Sequence, residues 1–490
     1  MVSHEKTLSP SNTDPNHEFF LTSYMLGAPS GRNLGAAGYS HEFVARLFRP
    51  LLERFGAVRE IRDPRRDLQA AVDDCIRRGQ RPVHFSVLPF QDVTLAANAL
   101  NIVMPAWEFP DVPNEAFDGN AQNDWPATAN RCDLVIVSGP FTENALRRGG
   151  ATTPISIVPV PSPRGYFDLP RWRSGQVCRI GCPAYVFTES TASSAPLPHP
   201  GRRRWKKYER LLRSASRSLF GAVIYDRCSA WIRTKRNIGS PSCRESELYD
   251  LPYPKTRDLT LSGVVYTSIF NPDDGRKNWQ DLLTAWTTAL ADRSDATLVC
   301  KLITSRPRSI RKVLEFFRGS GLRHRCRVVF VCGFLTDAQM LELCRASTYY
   351  VQATKAEGNC LPLMNYLAAG RPGISPDHSS MGDYFDEDSG FVVESHPEPA
   401  AWPHDSSLRL RTTWGRIVWT SLRDRIADAH RVVTESAGDY ERLSESCRTS
   451  MQSWSGTAAV MNRLDAALRL LLASAGQVKP DMNSTDRAAA

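Results

Sequence analysis

Between Tyr350 and Asp386 the chain gathers the residue types of an anion site. The stretch YVQATKAEGNCLPLMNYLAAGRPGISPDHSSMGDYFD reads as a short strand, a tight turn, a helix and a second short strand. Glu357, Gly358, Asn359 and Cys360 make the turn. Leu361-Pro362 opens the helix, because proline at the first helical position forfeits no useful N–H. Leu361, Met364, Leu367 and Ala368 then recur at helical spacing, Gly370 closes the helix and Pro372 stops it. The carboxylate of Glu357 is thereby placed beside the unsatisfied N–H groups of a helix start. Such a site suits a phosphate, with an acceptor at hand for hydroxyl groups. The same residues also fit an ordinary strand–loop–helix unit with a solvated Glu.

Two further pieces carry chemistry. Arg276-Lys277 lies between a strand, GVVYTSIF, and a helix marked by Trp279, Leu282, Leu283, Trp286 and Leu290. Adjacent cations at a strand–helix junction suit a diphosphate, Arg by its fork and Lys as a point charge. Trp107-Glu108-Phe109-Pro110 stands at the carboxyl end of a strand-like run, where ligand sites of open α/β sheets gather. Glu108 there either positions or deprotonates a hydroxyl or braces a loop, and the residues leave both open. A glycine-bearing loop holding Gly35 and Gly38 follows the first strand, residues 19–26, and precedes an amphipathic helix, Tyr39–Phe55. It reads as a close approach to a ligand or as a surface loop. His84, inside PVHFSVL, reads as a satisfied core histidine in preference to one facing a cleft.

These groups need a scaffold, and the pattern supplies one. AVREI, PVHFSVL, ALNIVMPAW, CDLVIVS and PISIVPV are strand-like, with helical segments such as Arg66–Arg78 and Thr142–Arg148 between several of them. In the second half TLVCKLI and RVVFVCGFL are strands, and Thr336-Asp337-Ala338-Gln339 is a capping box that starts a helix. Strands alternating with helices predict parallel sheets covered on both faces. Trp414 to Leu472 reads as two or three amphipathic helices.

A chain of 490 residues predicts two or more domains. With 42% hydrophobic and 23% charged residues it has a globular composition, and no apolar run is long enough to span a bilayer. The first residues lack an apolar signal core, so a cytoplasmic protein is expected. Twelve scattered cysteines without a C-x-x-C pair read as reduced thiols, Cys300, Cys332 and Cys344 lying inside apolar runs. A net charge of +9 suits phosphate-rich ligands or an anionic membrane surface but does not argue for nucleic acid. Residues 201–225 form a basic stretch with Trp205, Tyr208, Leu211, Leu212 and Leu219 on one side. It reads as a solvated insertion helix or as a peripheral contact with the inner membrane face.

The stretch around Glu357 resembles the signature of retaining glycosyltransferases of the GT-B fold, classification family 4. Leu361, Pro362, Ala369, Gly370 and Pro372 match its frame, while Asn365 stands where the family has a second Glu, eight positions after the first. Trp107-Glu108, Asn130-Arg131-Cys132-Asp133 and Val137-Ser138-Gly139-Pro140-Phe141 are similar to segments of the family's first domain, and the order of parts agrees across the second. The resemblance implies two Rossmann-like, doubly wound α/β domains facing a cleft, with C-terminal helices crossing back. The expected divisions are a disordered leader (1–17), an acceptor domain (18–172), a basic insertion or linker (173–257), a nucleotide-sugar domain (258–412), C-terminal helices (413–475) and a disordered tail (476–490). It implies transfer of a hexose from a nucleotide sugar to a hydroxyl acceptor, with retention. The acceptor would be a polysaccharide, lipid-linked glycan or other glycoconjugate precursor.

Under that resemblance Glu108, Glu357, Arg276 and Lys277 are catalytic: Glu357 holds the sugar, Arg276 and Lys277 the leaving diphosphate, and Glu108 faces the acceptor. Gly333, Phe334, Leu335, Gly358, Asn359, Cys360, Leu361 and Asn365 bind the donor, with Asn365 on the ribose. Gly35 and Gly38 face the phosphates, as do Ser379, Ser380 and Gly382 of a return loop. No metal or other cofactor is expected, since cations and a helix start neutralise the diphosphate and no Asp-x-Asp triplet stands in a suitable loop. Loss of the second Glu keeps a non-catalytic nucleotide-sugar-binding or scaffold protein as the alternative.

Overall fold

The computed structural model describes residues 16–24, 34–35, 38–188, 254–402 and 409–475. In the first half, β1 (His17–Ser23), β2 (Ala57–Glu60), β3 (Arg81–Val87), β4 (Leu100–Val103), β5 (Leu134–Val137) and β6 (Ile155–Ile157) form a parallel sheet in the order β2-β1-β3-β4-β5-β6. Successive side chains of a strand point to opposite faces. Phe19 and Leu21 therefore join one core with Phe48 and Leu52 of the helix Tyr39–Leu52. Phe20 joins another with Leu68, Val72 and Cys75 of the helix Pro64–Arg77. Covered on both faces, β1 is buried along its whole length, as expected of a central parallel strand.

The second half builds β7 (Cys178–Phe187), β8 (Thr256–Leu261), β9 (Val264–Phe270), β10 (Ala296–Leu302), β11 (Arg327–Val331), β12 (Tyr349–Val351), β13 (Gly373–Ser375) and β14 (Gly390–Val392). Their order is β14-β13-β12-β9-β10-β11-β7-β8. The strands β9 to β14 pair in parallel, and β7 and β8 close one edge antiparallel. Trp279, Leu282, Leu283 and Trp286 of the helix Trp279–Ala289 pack on Leu298, Cys300 and Leu302, while Val299 faces the opposite core with Val265, Val329 and Leu343. Thr336 and Gln339 form the expected capping box. The ten described cysteines are buried free thiols.

Two expectations are corrected. The sequence predicts an insertion or linker over 173–257, yet the ends of that stretch supply β7 and the start of β8 to the second sheet. β7 buries Cys178, Ile180 and Cys182 and exposes Arg179 and Gly181 between them. This one-sided pattern belongs to an antiparallel edge strand, and Ser-, Pro- and Arg-rich surroundings hide it in the sequence. Residues 201–225 lie outside the described residues. The C-terminal helices begin at Trp419, not 413. Before them β15 (Ser395–Ala401) and β16 (Arg411–Ile417) pair antiparallel as an arm, where Thr412, Thr413 and Trp414 favour a strand.

Three helices follow, Trp419–Glu435, Ala437–Ser455 and Thr457–Ala475. The last returns to the first domain, where Val460, Met461, Leu464, Ala467 and Leu468 are buried in the core of Phe19, Leu21 and Phe48. The crossover is pinned on its way. Ser162 N–H donates to the Ser455 carbonyl at 2.9 Å, and Arg448 donates to the Leu169 carbonyl at 2.5 Å. The fully buried Arg371 donates to the carbonyls of Pro170 (2.8 Å), Ala369 (2.9 Å) and Cys344 (3.3 Å). The expected pair of Rossmann-like, doubly wound domains is present, with a cleft between them.

Candidate active site

A cleft of about 1390 Å³ lies between the domains at the carboxyl ends of their strands. The end of β9 leads into the turn Gly275–Lys277, which puts Arg276 and Lys277 on its wall. The loop after β12 brings Glu357 and then the helix Leu361–Ala368. Cys360 precedes that helix in a left-handed conformation (φ 49°) and provides no side-chain cap, so the first N–H groups have no capping side chain. Glu108 comes from the loop after β4 in the opposite domain.

Three ion pairs organise the charge. Lys277 Nζ donates to Glu357 Oε1 at 2.5 Å. Arg276 bridges the cleft to Glu108 and also binds Asp274, with guanidinium–carboxylate distances of 3.0 and 3.2 Å. Lys355 N–H donates to the Arg276 carbonyl at 2.7 Å, so the cation turn and the Glu357 loop are one unit. Glu357 is 7% exposed, its N–H donating to Ser379 Oγ at 3.1 Å. Burial pushes the Glu108 carboxyl above its usual range against the pull of Arg276. Burial acts on Asp274 in the same direction, but Arg276 and Lys277 outweigh it and hold that carboxyl below the usual range. Lys277 is pushed down by burial and more than restored by Glu357, so its ammonium is kept charged. Three carboxylates thus face two cations.

Most residues singled out in the sequence meet here. Glu108, Arg276, Lys277, Glu357, Gly358, Asn359, Cys360, Leu361, Asn365, Phe334, Leu335, Gly35 and Gly38 all line the cleft. Gly35 sits at φ 79°, and a Cβ there would lie 2.4 Å from the Ile303 carbonyl oxygen of the other domain. Only glycine permits that approach. Gly333 is not on the wall; its carbonyl accepts from Lys301 Nζ at 2.7 Å. Ser379, Ser380 and Gly382 are also not on the wall, and Ser379 braces the Glu357 loop from behind. His84 is a core residue, bonded to Thr22 Oγ1 (2.9 Å) and Asn101 Oδ1 (3.2 Å), its pKa lowered to about 4 by burial.

Sequence reasoning missed four contributors. Asp274 is the second partner of Arg276. Tyr166, on the segment joining the domains, lines the cleft with Asn365. Lys301 is a buried cation on the cleft wall. The β15–β16 arm lays Trp402 against Trp107 and Trp125 of the first domain and binds Asp111 through Thr412 at 3.0 Å. No local pattern announces these contacts, except that Asp274 lies two residues before Arg276. Among the described residues no three His, Cys, Asp or Glu side chains are grouped as metal ligands would be.

The domains are also latched beside the cleft. The helix Pro140–Gly149 begins at Gly139 without a cap of its own. Asp383 of the second domain accepts from the Phe141 N–H at 3.2 Å with each carboxylate oxygen. Burial raises the Asp383 pKa from 3.8 to about 6, the Phe141 N–H partly opposing it. The folded state therefore holds this proton more tightly than the unfolded chain. Its contribution to stability is fully present below about pH 4 and lost as pH rises through about 6. The urea midpoint is expected to fall across that window in the wild type and to stay flatter in Asp383→Asn. Parallel profiles for the two proteins would refute the assignment.

No family model matches the chain, and no curated protein matches it in sequence. Solved structures do match. Sucrose-phosphate synthase from Thermosynechococcus elongatus aligns at a TM-score of 0.51 and 15% identity, over 94% of this chain and 100% of that one. A glycosyltransferase from Rickettsia africae aligns at 0.49 and 9% identity, over 94% and 99% of the two chains. Anabaena HepE in complex with UDP aligns at 0.47 and 9%, over 93% and 100%. The first likeness shows the fold: this chain has the GT-B architecture of two Rossmann-like domains facing a cleft.

Proposed function

We propose that the cleft transfers a hexose from a nucleotide-sugar donor to a hydroxyl acceptor on a polysaccharide, lipid-linked glycan or other glycoconjugate precursor. The anomeric configuration is retained and no metal takes part. The observation that carries this reading is the convergence of Arg276, Lys277, Glu357 and the uncapped helix start at Leu361 on one wall, with Glu108 facing them. The donor diphosphate lies on Arg276, Lys277 and the helix N–H groups. It replaces Glu108 as counter-ion of Arg276. Glu108, so released, positions the acceptor hydroxyl on the diphosphate's side of the sugar and takes up its proton as the acceptor oxygen bonds the anomeric carbon from that side, which keeps the configuration. The bond from that carbon to the diphosphate breaks, and the charge left on the diphosphate is met by cations already in place. Glu357 accepts from sugar hydroxyls and Asn365 holds the ribose.

The test is a panel of UDP-, GDP-, ADP- and TDP-sugars, with and without EDTA, reading released nucleoside diphosphate and the anomeric coupling of the product. Turnover of one donor, unaffected by EDTA and giving the donor's own anomer, is expected. Failure of every donor to bind would overturn the reading. A second reading, a nucleotide-sugar-binding protein without turnover, is favoured by Asn365, whose side chain is neutral. Tight binding of one donor without diphosphate release against any acceptor would select it.

A further inference from the structure

Lys301 ends β10 one residue from its terminus and is 1% exposed, yet it belongs to the cleft wall. Its ammonium donates to the carbonyls of Leu302 (2.9 Å) and Gly333 (2.7 Å). An ammonium has three donors, and among the described residues the third has no recorded partner and no carboxylate pairs with the charge. Burial lowers its pKa to about 8. Taking a cation from water without a counter-ion is costly, and two neutral carbonyls offset that cost only in part. The mechanism above makes no use of it.

Its position relative to the phosphate cations suggests its ligand. Arg276 and Lys277 follow β9, Lys301 is on β10, and Phe334 and Leu335 follow β11. These strands are neighbours in that order. The ends of β9 and β11 are thus two strand spacings, about 9.5 Å, apart. A donor whose diphosphate lay on Arg276 and Lys277 would carry its base toward Phe334, Leu335 and Met340, which line the same cleft. Lys301 is the charged donor beside those residues, on the same core face as Leu335 and Leu343.

We propose that Lys301 determines which base the donor carries, its free N–H donating to the carbonyl oxygen that uracil and thymine carry on C4 or guanine on C6, so that these are taken over cytosine or adenine, which carry an amino group there. This rests on the nucleotide-sugar reading of the cleft. A base with an amino group at the same position presents a donor to a donor and is rejected, as happens where a site is built around one hydrogen bond.

The experiment is calorimetric binding of two minimal pairs, UDP against CDP and GDP against ADP, to the full-length wild type, Lys301→Met and Lys301→Gln. Melting curves establish that each variant is folded. In the wild type at least one pair is expected to favour the keto member by tenfold or more. Lys301→Met is expected to bring that ratio within about threefold, chiefly by weakening the keto member, and Lys301→Gln, which keeps a neutral donor, to lie between. An unchanged ratio in Lys301→Met overturns the assignment. So does an equal loss for both members, which marks Lys301 as a brace for the Gly333 carbonyl alone. A wild type that binds none of the four sinks the nucleotide-site reading itself, and the assignment falls with it.

Discussion

Arg276→Ala is expected to lower kcat/KM with the preferred donor by about 10²- to 10³-fold, the usual cost of removing one preorganised charge from a developing anion. Arg276 is already aimed by Asp274 and by the hydrogen bond on its own carbonyl, so no reorganisation is needed when the diphosphate leaves. Its loss also strands Glu108, whose carboxyl burial already pushes upward. The acidic limb of the pH–rate profile should therefore move further toward neutral pH in the variant. UDP or GDP binding should weaken together with turnover. Arg276→Lys should recover part of the rate, because a point charge replaces one arm of the fork. Steady-state kinetics over a pH series checks all of this, and unchanged kcat/KM would remove Arg276 from the mechanism.

Glu357→Ala is expected to be at least as damaging, and its signature differs. Two charge-assisted hydrogen bonds to sugar hydroxyls, at about 1.5–3 kcal/mol each, correspond to roughly 10²- to 10⁴-fold in kcat/KM at about 1.4 kcal/mol per decade. The free nucleoside diphosphate carries no hexose, so its Kd should stay within about threefold of wild type or tighten, as Lys277 loses its carboxylate and turns to phosphate. Calorimetry with the nucleoside diphosphate and kinetics with the sugar donor separate the two effects. Equal weakening of both ligands would place Glu357 outside the sugar subsite.

The second domain was the more legible half. Its strands β9 to β13 are buried on both faces, and the motif from Glu357 to Pro372 compresses strand, turn, helix start and carboxylate into sixteen neighbouring residues. Chemistry held within one strand–loop–helix unit is written locally. The corrections fall where it is not. β7 follows the domain crossover but pairs with β11, nearly 150 residues later, and its one-sided pattern is short and interrupted by Pro183. Ser379 keeps the Glu357 loop in place from a position that a motif reading puts on the cleft wall.

By itself the sequence determined the alternation of strands and helices, the proline-opened helix start after Glu357, the cation pair following β9 and the carboxylate at the end of a first-domain strand. Each depends on residues within a few positions of one another, where backbone propensity and side-chain period act directly. Only the tertiary structure decided the partners. Glu108 meets Arg276 across the cleft, Asp383 caps the helix at Pro140 from the other domain, Trp402 packs on Trp107, and Lys301 lies between two carbonyls with no counter-ion among the described residues. Such pairings arise from how two domains pack. Charge and burial act through space, and neither is confined to neighbours along the chain.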